Sequence, residues 1–127
     1  MTAVYAGGLT DISILLLLSE RPDHGYSLVH RLMDLGIFYN DDPGTVYRRL
    51  RIFERRGLIQ HRVHHSQRGP VRKVYEIGPA GQQAIREWVP ELNTTLNTIH
   101  RCLDLHSRIR ASAVMPWSEP IKSGATV

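Results

Sequence analysis

The chain has a single cysteine, Cys102, in 127 residues. That excludes an internal disulfide framework and any zinc knuckle built from one chain's cysteines. No apolar run is longer than Ile14 to Leu18, far short of the ~20 residues that cross a bilayer as a helix. The first residues show no basic segment followed by an apolar stretch, so no export signal is read there and a cytoplasmic location is expected. Phosphate loops, nucleophile elbows and dinucleotide fingerprints are missing, and the carboxylates are scattered rather than paired, so no enzymatic activity is expected. With 42% hydrophobic and 22% charged residues, and no repeat or low-complexity tract, the composition is that of an ordinary globular domain. A chain this short builds one modest core, which favours a partner subunit.

Lysine is nearly absent: all but Lys73 and Lys122 of the 16 cationic residues are arginine. Net charge is +4, and its placement says more than its size. Residues 45–75 hold Arg48, Arg49, Arg51, Arg55, Arg56, Arg62, Arg68, Arg72 and Lys73 against Glu54 alone, while the rest of the chain is acidic on balance. Arginine's planar fork suits phosphate oxygens and guanine edges. A solvated cationic face is the alternative on charge alone.

The elements that carry this charge decide between the two. Residues 10–20 read as a buried helix, and Arg21-Pro22-Asp23 as a turn. A second helix is expected from about His24 to Leu35, with Leu28, Val29, Leu32 and Leu35 on one stripe and Gly36 as its stop. Asp42 as N-cap and Pro43 at the first helical position open a third helix over 43–56. Gly57, following Arg55 and Arg56, closes it. At 3.6 residues per turn, Val46, Leu50 and Phe53 share its core side. Arg48, Arg51 and Arg55 lie opposite, beside Thr45, with Arg49 on the flank. Leu58 to His65 and Val71 to Ile77 alternate as two strands joined by a short loop, an antiparallel hairpin. Gly78-Pro79 opens a fourth helix whose apolar positions Ile85, Trp88, Val89, Leu92, Leu96, Ile99 and Leu103 approach a heptad seam. Pro90 within it predicts a kink or break.

The fold class is therefore mostly α with a small β-hairpin (α+β), a winged helix-turn-helix over residues 1–78. A C-terminal dimerisation helix follows over 79–111, then a tail over 112–127. A basic third helix of this kind enters the major groove, with the second helix across the backbone and the hairpin along phosphates. Agreement between charge and topology points to double-stranded DNA as partner.

Several strings together resemble the PadR-type transcriptional regulators. They are His24-Gly25-Tyr26-Ser27-Leu28, Gly44-Thr45-Val46-Tyr47-Arg48-Arg49-Leu50, Gly57-Leu58-Ile59, Arg72-Lys73-Val74-Tyr75-Glu76-Ile77 and Pro79-Ala80-Gly81. The resemblance spans roughly residues 10–105. It implies a homodimeric regulator, usually a repressor, joined through its C-terminal helix. In many members a small aromatic or drug-like molecule releases the DNA. Gly78 stands where the family often has a threonine cap. Leu92 stands where some multidrug-binding members carry a tryptophan, and Trp88 lies one turn earlier.

The candidate DNA contacts are Tyr26, Ser27, Thr45, Tyr47, Arg48, Arg49, Arg51, Arg68, Arg72 and Lys73. Arg48 and Arg51 are the expected groove readers, and the wing cations the expected phosphate contacts. Tyr26 and Tyr47 have core packing as the alternative. Trp88, Leu92, Leu96, Ile99 and Leu103 are the candidate dimer interface, and Trp88, Val89 and Leu92 the candidate effector pocket. No cofactor and no metal are expected. Two rival readings stand beside this one. Cys102 and His106, at i and i+4, share a helix face as ligands of a metal- or redox-responsive regulator can. The same fold can also serve as a protein–protein interaction module without DNA binding.

Overall fold

The computed structural model describes residues 8–37, 43–65, 67–112 and 117. The elements run α1 (Gly8–Glu20), β1 (Asp23–His24), α2 (Gly25–Asp34), α3 (Gly44–Arg55), β2 (Ile59–His64), β3 (Arg72–Ile77) and α4 (Pro79–Ala111). The three strands form one antiparallel sheet in the order β1-β3-β2, so the wing strand β3 is central. Asp23 pairs with Tyr75 and His24 with Val74 on one side of it; His61 pairs with Tyr75 and Arg62 with Val74 on the other. This is the expected winged helix-turn-helix, with one strand more than the hairpin predicts. Among the described residues no helix is long and apolar enough to cross a membrane.

One core joins all these elements. Ile14, Leu15 and Leu18 of α1, Leu28 and Leu32 of α2, and Val46, Leu50 and Phe53 of α3 are buried together with Leu58, Ile59 and Tyr75. The stop of α3 follows from Gly57, whose φ of 77° is open to glycine at little cost. Its N–H donates to the Glu54 carbonyl at 3.0 Å and the Leu58 N–H to the Phe53 carbonyl at 3.0 Å. This paired closure satisfies two carbonyls and drops Leu58 into the core beside Phe53. Gly36 and Ile37 close α2 by the same two bonds, to Met33 and Leu32. The N-cap expected at Asp42 lies outside the described residues; Pro43 occupies the helix's N-terminal boundary and provides no side-chain cap.

Helix α4 is continuous through Pro90, so of the expected kink or break no break occurs. The chain divides into two compact units at Thr95 and Leu96. Ala84 is buried and Ile85 and Trp88 pack against the core, so the first half of α4 belongs to the first unit. Hydrogen bonds between Ser19 and Gln82 tie the start of α4 to the end of α1. Of the tail, only Ser112 and Trp117 fall within the described residues.

Candidate nucleic-acid interface

The two sides of α3 separate as the periodicity predicts. Val46, Leu50 and Phe53 are each 0% exposed, while Arg48, Arg51 and Arg55 are exposed. The Arg48 guanidinium donates to the Thr45 hydroxyl at 3.1 Å, one turn back, which holds both polar groups at the N-terminal end of the exposed face. Helix α3 thus presents exposed arginine forks from a rigid element, the groups that suit base edges and phosphates.

Arg49 departs from the expected set. Its Nε donates to Asp11 Oδ1 at 2.8 Å and its Nη2 to Asp11 Oδ2 at 2.6 Å, a bidentate pair from α3 to the first turn of α1. The guanidinium also lies 5.4 Å from the centroid of the Phe53 ring. Asp11 is 5% exposed, so the pair is largely shielded from water. Arg49 is thus committed to a partner within the fold, and it is not among the DNA contacts proposed below.

The start of α2 is held by a second polar network. His24 is the N-cap, its Nδ1 accepting from the Ser27 N–H at 3.3 Å. A neutral ring that accepts at Nδ1 carries its proton on Nε2. The Arg72 guanidinium 3.3 Å from Nε2 is therefore not satisfied by the ring. The Ser27 hydroxyl donates to Asp23 Oδ2 at 2.6 Å, which commits it to the start of the helix. Arg31 completes the network, donating to Asp23 at 2.8 Å, to the Leu17 carbonyl at 3.0 Å and to Glu20 at 2.5 Å.

Burial alone raises the Asp23 carboxyl, but donors from Ser27, Arg31 and the His24 backbone, with the charge of Arg31, outweigh it and hold the group below its ordinary value. A carboxyl lowered in the folded state stabilises the fold fully above its unfolded value and loses that contribution as pH falls through the folded one. Urea midpoints measured at pH 5 and at pH 2.5 are therefore expected to differ less in Asp23→Asn than in the wild type. An equal acid drop in both proteins counts against this account.

Between the start of α2, α3 and the wing lies an open cleft of about 350 Å³, lined by His24, Tyr26, Tyr47, Arg51, Arg72, Lys73 and Tyr75. Tyr26 is 67% exposed and packs edge-on against His30 rather than in the core. Tyr47 lies across the start of α2 because Gly25 leaves room: a Cβ there would collide with the ring. The glycine of the His-Gly-Tyr string thus has a packing reason. Arg68, Arg72 and Lys73 are exposed on the wing. His61 of β2 pairs with Glu54 of α3, so the one acid of the basic stretch is engaged. His24 and Tyr75 are the cleft residues that sequence reasoning does not single out. A histidine directly before a helix's opening glycine is the one local signal for His24. Strand alternation places Tyr75 inward and hides its second role.

On α4, Trp88 is half-buried and packs against the core, its ring 6.4 Å from that of Phe53. Val89 and Leu92 are half-buried. In the second unit Leu96, Ile99 and Leu103 are 49%, 49% and 57% exposed. Cys102 is exposed. Among the described residues no group of three or more His, Cys, Asp or Glu gathers in a way that can hold a metal ion.

Residues 14–87 match the family described as transcriptional regulator PadR-like. No curated protein matches the chain. Among solved structures, a putative transcriptional regulator from Thermoplasma acidophilum is similar at 27% identity and a TM-score of 0.68, over 79% of this chain and 95% of that one. A PadR-like transcriptional regulator from Bacillus cereus is 25% identical with a TM-score of 0.66, over 81% of this chain and 97% of that one. PadR of Bacillus subtilis, solved in complex with operator DNA, shares the fold at 19% identity and a TM-score of 0.56, over 91% of this chain and 53% of that one.

Proposed function

The chain belongs to the transcriptional regulator PadR-like family, and on that footing we propose that it is a sequence-specific DNA-binding regulator, a repressor. It acts as a cytoplasmic homodimer on an inverted-repeat operator and is released by a small aromatic or drug-like molecule. One observation carries this reading: the arginine face of α3 is exposed opposite three fully buried anchors and beside the exposed cations of the wing. Arg48 and Arg51, with Thr45, read the major groove. Tyr26, Tyr47, Arg68, Arg72 and Lys73 hold phosphates. The fold shared with a regulator solved on its operator supports that docking.

The exposed Leu96, Ile99 and Leu103, continued by Leu92, join two copies, which sets the two α3 helices ~34 Å apart, one turn of DNA. Trp88, Val89 and Leu92 line the effector pocket. The molecule bound there relieves repression only by binding the DNA-incompetent dimer more tightly, since equal affinity shifts no population.

The test is a selection of bound duplexes from a random pool, repeated with Arg48→Ala and Arg51→Ala. Each substitution is expected to cost about 1–3 kcal/mol against the selected duplex and to relax preference at one position per half-site. Uniform weakening on every duplex makes both arginines phosphate contacts. Affinity for the selected duplex is expected to fall steeply as salt rises, and a chain that binds no duplex is the interaction module instead.

A further inference from the structure

We propose that the cleft between the start of α2, α3 and β3 seats one backbone phosphate of the DNA, with the Tyr75 hydroxyl donating to it from the cleft lining. This rests on the DNA-binding reading, and it assigns to that interface a residue and a phosphate position that the arginine stripe alone does not specify.

The chemistry of the lining sets the ligand class. Arg51 comes from α3, Arg72 and Lys73 from β3, and His24 and the three rings of Tyr26, Tyr47 and Tyr75 complete the lining. No hydrogen bond among the described residues satisfies the hydroxyls of these tyrosines, nor Arg51 or Lys73. A phosphodiester is acceptor-only and permanently anionic, so it matches a lining made of donors and cations. Of the carboxylates near the cleft, Glu54 is paired with His61, and Asp23 accepts from Ser27 and Arg31. The cleft is open and larger than a bare phosphate, which leaves room for a flanking sugar.

Tyr75 differs from the other two tyrosines in being only 5% exposed while still lining the cleft. Burial, then the charges of Glu54 and Tyr47, push its phenol above the ordinary value against the pull of Arg51. The hydroxyl therefore stays protonated and serves as a donor. Its backbone sits in the centre of the sheet, paired with Asp23 on one side and His61 on the other. A donor fixed on a central strand is more rigidly placed than one on an exposed arginine, so it locks the phosphate, and with it the register of the groove facing α3.

The experiment uses the duplex selected from the random pool, remade as a set with one neutral methylphosphonate linkage at a time. Tyr75→Phe keeps the buried ring, and its melting temperature is measured alongside. Lys73→Gln, at an exposed position, serves as the second variant. In the wild type one linkage per half-site is expected to cost about tenfold or more when neutralised, and Tyr75→Phe about tenfold on the unmodified duplex, the scale of a hydrogen bond to a charged group. The diagnostic result is that the two losses do not multiply: on the duplex neutralised at that linkage, Tyr75→Phe and Lys73→Gln bind as the wild type does. Tyr75→Phe binding the unmodified duplex as tightly as the wild type overturns the proposal, as does full multiplication of the losses at every linkage. Both outcomes leave the DNA-binding reading intact. Failure of the wild type to bind any duplex removes both together.

Discussion

Replacing Arg49 with alanine is expected to destabilise the fold by about 3–5 kcal/mol, the cost of stranding a buried charge by removing its partner. Asp11 is the charge left behind, 5% exposed at the first turn of α1. For a chain of 127 residues each 1 kcal/mol is worth about 4 °C, between the values for smaller and larger domains, so the melting temperature should fall by about 10 °C or more. Arg48→Ala, one residue away and exposed, is expected to change stability by no more than about 0.5 kcal/mol. The pair Asp11→Asn with Arg49→Met should recover most of the loss, because no ion then remains unpaired. The measurement is urea or thermal unfolding of the four proteins. Wild-type stability in Arg49→Ala, with weakened DNA binding, returns Arg49 to the DNA contacts.

The second large effect concerns assembly. Ile99→Glu together with Leu103→Glu places two carboxylates on the exposed seam of the second unit. The double variant is expected to sediment as a monomer. Its affinity for the full operator should fall by about 10²–10⁴, the advantage lost when two linked sites become independent, while affinity for a single half-site stays near that of the wild type. A dimer that survives both substitutions places the interface elsewhere on the chain.

Much of this architecture is legible from local signals. The stop of α3 is written in Gly57, its buried face in Val46, Leu50 and Phe53, and the wing in the alternation of residues 58–77. What is not legible depends on partners distant in sequence. Arg49 sits at the flank of a helical wheel, where no periodicity distinguishes a solvated fork from one bound to Asp11, 38 residues earlier. Strand β1 is two residues long and exists because β3 lies beside it, so no propensity announces it. Trp88 continues a heptad seam in sequence, yet Phe53 offers its ring a place in the protomer's own core. Pro90 forfeits a backbone bond, and the helix runs on around it. The Ser27 hydroxyl is taken by a carboxylate four residues back, a competition that a phosphate-ligand reading of the helix start does not weigh.

His24 occupies two positions at once: it is a rung of the sheet, opposite Val74, and it caps α2. Tilting the wing away from the helical body would pull that rung and uncap the helix in the same motion. The wing and the reading head are therefore expected to pivot as one piece. Under the proposed homodimer, a releasing ligand would then have little leverage on the wing by itself; its lever arm would be the separation between the two copies' heads, and the mismatch it created would be measured in fractions of a helical turn of DNA.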